Sequence, residues 1–219
     1  MDRHKTLKHI KTVREFHQLR GLPKPKPEHP LISIIDFAAA PPPGEDMKGG
    51  SWTFGFYCIA IKRGLKGKIK YGQQKYDFNE GVMSFSAPNQ VLGIEADATQ
   101  DLKSASGWML LVHPDFLWNT PLGKNIKNYE YFGYSVNEAF FLSEKEEIII
   151  NHIIQNIQQE YHSNIDRFSQ NIIISQLETL LNYADRFYQR QFITRKITSH
   201  QVLDRLEKVL ADYFNNDNR

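Results

Sequence analysis

The sequence predicts an α+β protein in which a β-sandwich or small barrel is followed by helices. Through Lys68–Val112, short runs rich in β-branched and aromatic residues alternate with turn residues. Strands repeating about every ten residues are typical of a sandwich or barrel and not of a parallel sheet. After residue 142 the apolar residues instead recur at helical spacing. The chain is therefore a β-unit with helical additions.

Composition and charge set the broad class of the protein. The 219 residues are 41% hydrophobic, which is enough for a sizeable core, and the net charge of +2 argues for neither a nucleic acid nor a membrane partner. The single cysteine, Cys58, lies in an apolar run and is interpreted as a small core residue, with a redox role as the alternative. No apolar run is long enough to span a membrane, so we expect a cytoplasmic protein.

Residues 1–30 are interpreted as an N-terminal arm. Thr12 and Glu15 have capping-box spacing, and Gly21 supplies a helix stop. The prolines that follow impose an extended linker, so we expect the short helix to be tethered to the β-unit and not packed into it. The basic residues of the arm are expected on a solvated face, with phosphate contact as the alternative; they are Arg3, Lys5, Lys8, Lys11, Arg14, Arg20, Lys24 and Lys26.

The β-unit is expected to cover residues 31–142. Leu31–Phe37 reads as its first strand and Trp52–Ile61 as a strand that is apolar on both faces. The loop between them, Ala38–Gly50, is long enough to cover the mouth of a pocket. The aromatic segment from residue 128 to 141 is expected to seal one end of the barrel, with a ligand role as the alternative.

Helices are predicted from Ser143 onwards. Ser143 and Glu146 form a second capping box, and residues 143–192 read as an αα-hairpin whose second helix begins near Asp166. The apolar stripe of that helix fits packing within the chain and a homodimer interface equally well. The interface candidates are Ile173, Leu177, Leu180, Leu181, Ala184 and Tyr188. Residues 193–219 are predicted to form a third, linker helix.

No catalytic or metal-binding constellation is recognisable. None of the eight histidines lies between Leu31 and Val112, and a catalytic metal site needs about three converging N, O or S ligands. The chain also has no nucleophile elbow, phosphate-binding glycine loop or dinucleotide fingerprint. We therefore predict a protein that is not an enzyme and that uses no metal or cofactor.

A small-molecule pocket lined by aromatic side chains is the remaining prediction for the β-unit. Such pockets are mostly apolar, with a few polar groups that orient the ligand. The alternative for each ring is simply to fill the core. The candidates are Trp52, Tyr57, Tyr71, Phe85 and Trp108.

Four local segments resemble bacterial transcriptional regulators of the AraC type. They are His29–Asp36, Phe78–Gln90, Gly107–Leu117 and Tyr188–Phe192, within a similarity that extends from Thr12 to Phe214. The order of parts is also similar to that family: an arm, a β-unit, a helical hairpin and a linker helix. The segment corresponding to the metal motif of enzymatic cupins, residues 67–87, contains no histidine.

The resemblance implies a cupin-like antiparallel β-barrel of the double-stranded β-helix type, followed by an αα-hairpin and a linker helix. It further implies a homodimer whose barrel binds a small-molecule effector, such as a sugar or another metabolite. Promoter DNA would be bound only by a pair of helix-turn-helix units beyond residue 219. Two alternatives remain open, namely a metal-free sugar isomerase or epimerase and a module that serves dimerisation alone.

Overall fold

Two five-stranded β-sheets and four α-helices make up the part of the chain that the structure describes. This computed structural model describes residues 7–22, 28–41, 44, 50–63, 65–71, 74–78, 82–93, 106–132, 140–163 and 168–190, with the backbone alone for 65–71, 74–78 and 93. Within those ranges, none of the helices combines the length and the apolar character that a membrane crossing requires.

Sheet A has the strand order β1-β3-β8-β5-β6. The first pair, β1 with β3, is parallel, and the other pairs are antiparallel. Its strands are β1 (Leu7–Ile10), β3 (Ser51–Phe54), β5 (Leu65–Tyr71), β6 (Gln74–Phe78) and β8 (Val91–Gly93).

Sheet B is antiparallel throughout and has the strand order β10-β7-β4-β9-β2. The chain passes repeatedly from one sheet to the other, so strands adjacent in sequence mostly belong to opposite sheets. Its strands are β2 (Ile32–Asp36), β4 (Tyr57–Arg63), β7 (Val82–Ser86), β9 (Ser106–Val112) and β10 (Phe140–Phe141).

Both predicted capping boxes are present. Helix α1 (Val13–Leu19) begins at Thr12, and helix α3 (Glu144–His162) begins at Ser143, each with reciprocal side-chain and backbone hydrogen bonds to the glutamate three residues on. A short helix α2 (Pro121–Asn125) lies between β9 and β10. Helix α4 covers residues 168–190, close to the predicted second helix of the hairpin.

Sheet B separates two hydrophobic cores because successive side chains of a strand point to opposite faces. On β4, Ile59 and Ile61 belong to the core shared with helices α2, α3 and α4. Cys58 belongs to the core that sheet B shares with sheet A and α1. The molecule is therefore layered as sheet A, sheet B and helices, with α1 in the inter-sheet core.

The arm is integrated into the fold, which corrects the expectation of a tethered helix. Strand β1 extends sheet A by pairing with β3, and Val13 and Phe16 of α1 are buried in the inter-sheet core. No signal in the sequence marks β1, because this strand has only four residues and only Ile10 among them is buried. Its extended conformation depends on hydrogen bonding to β3, which is distant in sequence. The proline-rich residues 23–27 lie outside the described residues.

The predicted strand Trp52–Ile61 is divided into β3 and β4, which lie in different sheets. The division falls at Gly55, where the backbone passes close to Lys11: a Cβ on Gly55 would lie 2.6 Å from the Lys11 carbonyl oxygen. The long apolar run therefore contains two buried strands, one in each sheet. Because both strands are largely buried, the run is apolar on each side of Gly55 and resembles a single strand.

The α+β class is confirmed, whereas the two sheets do not join into a closed barrel within the described residues. Helices α3 and α4 share one core, as predicted for a hairpin. An ion pair joins Arg190 Nε to Glu146 Oε1 at 2.9 Å, and another joins Arg63 to Glu147, so the first turn of α3 is tied to both α4 and sheet B. The predicted linker helix, residues 193–219, lies outside the described residues.

Candidate ligand site

Of the five aromatic residues predicted to line a pocket, the four whose side chains the structure describes are divided between two cores. Trp52 lies in the core between the two sheets, whereas Phe85 and Trp108 lie in the core between sheet B and the helices, with Tyr57 packed against that core. Tyr71 is on β5, and its side chain is outside the described part of the chain. The prediction of one aromatic pocket is therefore corrected, because the alternation along β4, β7 and β9 directs these rings to the helical side.

The rings on the helical side form a packed aromatic cluster. Phe85 contacts Tyr131, Phe132 and Phe140, with ring centroids 4.2, 5.5 and 6.0 Å apart. The predicted sealing segment thus packs on sheet B beneath α4, and Tyr131 donates a hydrogen bond from its hydroxyl to the Leu181 carbonyl at 2.8 Å. These contacts support the alternative for Phe85, in which its ring fills the core and does not line a ligand pocket.

Trp108 has a similarly structural environment. Its Nε1 donates a hydrogen bond to Asn151 Oδ1 at 2.8 Å, which fixes α3 to β9. A buried indole N–H needs such a partner. Trp108 therefore holds the helical layer on the sheet.

The stripe proposed as a dimer interface is buried inside its own chain. Its side chains pack in the core that α4 shares with α3 and sheet B, and none is more than 2% exposed. The assignment is corrected accordingly for Ile173, Leu177, Leu180, Leu181, Ala184 and Tyr188. The stripe packs within the chain because it meets a complementary apolar face of sheet B. The sequence of the helix alone does not reveal that face.

The inner face of sheet B carries apolar side chains such as Ile35, Leu111 and Met109, together with smaller and polar ones. Along β4 this face presents Cys58, Ala60 and Lys62, and the partners of Ala60 across the sheet are Ser84 and Met109. Lys62 lies opposite Gly107, whose φ of +107° and whose approach to the Ile61 carbonyl oxygen leave no room for a Cβ. The ammonium of Lys62 lies 6.0 Å from the centroid of the Phe37 ring, so an aromatic side chain as well as Gly107 borders it.

Arg20 faces this inter-sheet core from the end of α1. It continues the buried stripe of that helix, which begins with Val13, Phe16 and His17. His17 Nε2 and Ser33 Oγ lie 2.8 Å apart in a hydrogen bond to the inner face of β2. Arg20 itself is only 9% exposed, and its Nη1 has no hydrogen-bond partner among the described residues.

Burial also shifts the pKa values of Arg20, Lys62 and Cys58. Desolvation lowers the pKa of Lys62 to about 8, with the thiol of Cys58 opposing that shift and the charge of Arg20 adding to it. Desolvation lowers the pKa of Arg20 as well. Desolvation raises the pKa of Cys58 to about 12, against a hydrogen bond from Ser86 and the charge of Lys62. The thiol therefore stays protonated, which agrees with a core residue.

Trp52 adds a second buried donor to the inter-sheet core. The residue is 2% exposed, and its Nε1 has no hydrogen-bond partner in the described part of the chain. Lys8 of β1 places its ammonium 4.9 Å from the centroid of the indole ring, a cation–π geometry. Of the arm residues expected on a solvated face, Arg20 is buried, whereas Lys8 is exposed, as expected, and also contacts the Trp52 ring.

Sequence reasoning missed Arg20 and Lys62. A signal for Arg20 was present, since Val13, Phe16, His17 and Arg20 occupy positions i, i+3, i+4 and i+7 of one helical face. For Lys62, alternation along β4 placed its side chain on the face of the strand that Ile59 and Ile61 do not occupy. The sequence could not show that this face is the one turned toward sheet A. Across the described residues, no three histidine, cysteine or acidic side chains come together as a metal site.

Two buried hydrogen-bond donors therefore have no acceptor among the described residues, Arg20 Nη1 and Trp52 Nε1. Each of them can donate to an acceptor atom of a polar or anionic molecule. Comparison with known proteins adds no relative from which a ligand might be inferred: no protein-family model matches the chain, and a search of curated proteins finds no match.

Proposed function

We propose that this chain is the ligand-sensing and dimerisation domain of a bacterial AraC-type transcriptional regulator, with a cupin-like arrangement of its two sheets. The layered architecture supports this proposal, because two facing sheets precede a pair of long helices in the expected order. The single observation that carries most weight is the position of the arm. Strand β1 and Arg20 both contribute to the inter-sheet region, so a molecule bound there would contact the arm directly.

The proposed mechanism is a shift between two states of the domain. A small molecule that binds one arrangement of the arm and sheets more tightly than another stabilises that arrangement by its difference in binding free energy. The connection to the helices runs along the β2 edge. There the backbone N–H of Glu28 donates to the Tyr161 hydroxyl at 3.0 Å, and His162 Nδ1 lies 2.8 Å from Glu28 Oε2. DNA would be bound by helix-turn-helix units beyond residue 219.

Homodimerisation can be tested on the exposed face of α4. Phe168 and Ile172 are 72% and 46% exposed, whereas the side chains of the stripe are buried. We expect the chain to be a dimer by light scattering, and the double variant Phe168→Glu, Ile172→Glu to be a folded monomer. Ile148→Glu on α3, which changes a residue 48% exposed, is the matched control and should remain dimeric. A wild-type chain that is monomeric at micromolar concentration would contradict the proposed dimer.

A second candidate is a module that serves dimerisation alone, for which the inter-sheet region would be simply a filled core. The packing of Phe16 on Phe54 and Phe56, with ring centroids 5.4 and 5.9 Å apart, favours this alternative. The two functions differ in ligand response. A sensor is stabilised by its ligand according to RT ln(1 + [L]/Kd), whereas a filled core gives no thermal shift with any panel of sugars and metabolites.

A further inference from the structure

Residues 28–33 lead from the arm into strand β2, and their first residue contacts the last turn of α3. The backbone N–H of Glu28 donates to the Tyr161 hydroxyl at 3.0 Å, and His162 Nδ1 lies 2.8 Å from Glu28 Oε2. The ring of Tyr161 is buried in the helical core. The start of this segment is therefore bound to two consecutive side chains at one helix end.

The last residue of the segment contacts the arm helix. Ser33 Oγ lies 2.8 Å from His17 Nε2, and both residues are buried, with 1% and 6% exposure. Breaking a buried hydrogen bond leaves polar groups that water cannot reach, so it costs more than the loss of an exposed one. Helix α1 is thus held on β2 by a polar contact as well as by its apolar stripe.

The backbone between these two contacts has little freedom. The N–H of Leu31 donates to His29 Nδ1 at 3.1 Å, and the His29 ring packs edge-on against Phe116, with the ring centroids 5.3 Å apart. Pro30 fixes its own φ and favours extended backbone at His29. A segment this short and this constrained passes a displacement at one end on to the other.

We propose that residues 28–33 act as a clasp that couples the docking of the arm helix to the position of the last turn of α3. Strand β2 is the terminal strand of sheet B, and α1 and Tyr161 belong to the cores on its two sides. The clasp therefore connects the inter-sheet core with the helical core around the edge of the sheet. Release of either contact weakens the other by the same factor, since the coupling between two sites is reciprocal.

The coupling is a property of the chain itself and needs no bound molecule. The inference rests on the proposed function only where the clasp reports the state of the arm to the helical hairpin of a regulator. The same link would then carry a change in the arm to the helices that are proposed to dimerise.

Hydrogen–deuterium exchange of single backbone amides measures the coupling. Ser33→Ala removes the hydroxyl that bonds to α1. The amides of Glu28 and Ser163, the latter bonded to the Glu160 carbonyl at 3.2 Å, should then exchange about two- to fivefold faster. Amides of β4, the central strand of sheet B, are the reference and should be unchanged.

The reverse experiment starts from α3. Tyr161→Phe combined with His162→Ala removes both of the contacts that α3 makes with Glu28. The Arg20 amide, which donates to the Phe16 carbonyl at 2.9 Å, should then exchange faster by a similar factor. This pair keeps the test decisive if Ser33→Ala does not fold.

Matched variants separate the clasp from a general loss of stability. Arg14→Ala and Gln159→Ala change exposed residues of α1 and α3 outside the clasp contacts, and each should leave exchange at the other end unchanged. In a double-mutant cycle, Ser33→Ala should add nothing at the Ser163 amide once the α3 pair has been changed. Circular dichroism checks that every variant is folded.

Three outcomes overturn the clasp. Unchanged Glu28 and Ser163 amides in Ser33→Ala would show that the two contacts are independent, and so would additive effects in the cycle. An equal acceleration in β4 would show a general loss of stability in place of coupling. A coupled chain that is monomeric by light scattering would support the clasp and contradict the proposed regulator, whereas an uncoupled dimer would do the reverse.

Discussion

Replacing Arg20 by methionine should stabilise the ligand-free chain. The guanidinium is buried, and its Nη1 has no hydrogen-bond partner within the described residues. Removing one partner of a buried ion pair normally destabilises a protein because it leaves the other charge uncompensated. Here the situation is reversed, since the variant removes the uncompensated charge itself. Methionine keeps an unbranched apolar chain that can adapt to the buried position.

The magnitude follows from the desolvation of the charge. The effective free-energy penalty for burying an unpaired ion is several kcal/mol. Arg20 keeps some solvent contact at 9% exposure, and this contact reduces the penalty. We therefore expect a gain of about 2 kcal/mol in the free energy of unfolding. For a chain of this length, that gain corresponds to a rise in melting temperature of about 4–8 °C.

The assay is chemical denaturation together with thermal melting, both without ligand. Arg14→Met is the matched control, because Arg14 is exposed on the same helix; its effect should stay within about 0.5 kcal/mol. A loss of more than about 1 kcal/mol in Arg20→Met, with an unchanged control, would refute the reasoning. It would mean that the guanidinium makes a favourable interaction in the folded chain.

Three further predictions concern the pH dependence of stability, the backbone and the hairpin core. The pKa of Lys62 falls from 10.5 to about 8, so above pH 8 the unfolded chain binds more protons and stability should rise with pH. The slope is at most about 1.4 kcal/mol per pH unit. Above pH 9 the raised pKa of Cys58 opposes the rise, because only the unfolded thiol then ionises. Urea melts between these values should show the rise in wild type and a flat response in Lys62→Met; a wild-type stability that falls from pH 8 to 9 would contradict the assignment. Gly107→Ala should cost at least about 3 kcal/mol in urea melts, because its φ is positive and a Cβ meets the Ile61 carbonyl. Gly44→Ala, where a Cβ has open space, should be neutral, and two equally stable variants would be incompatible with this backbone. Leu177→Glu should unfold the chain, as judged by circular dichroism, since its site is 2% exposed in the core; a folded monomer would restore that stripe as an interface.

Local chemistry predicted the ends of the helices well. The capping boxes at Thr12 and Ser143 involve only residues three positions apart, so the sequence contains all the interacting groups. The same holds for the first strand of the β-unit, which was predicted over Leu31–Phe37 and is found at Ile32–Asp36. Each of these predictions depends on a few neighbouring residues.

The prediction of site residues was less successful for a physical reason. Alternation shows that Tyr57 and Cys58 point to opposite faces of β4, but both faces of sheet B are buried, so the pattern is apolar throughout. Hydrophobicity then gives no signal for which side faces sheet A. The aromatic residues were chosen for their size, and size favours the helical core as much as a pocket.

The sequence by itself determined the α+β class, the position of the β-unit before the helices and the capped starts of α1 and α3, because these follow from propensity and short-range periodicity. Only the tertiary structure decided which face of sheet B is inner, that β1 joins β3, and that Arg20 is buried. Those outcomes depend on the partner that each surface meets, and the partner is distant in sequence. The pairing of β1 with β3 also brings Lys8 and Trp52 into contact.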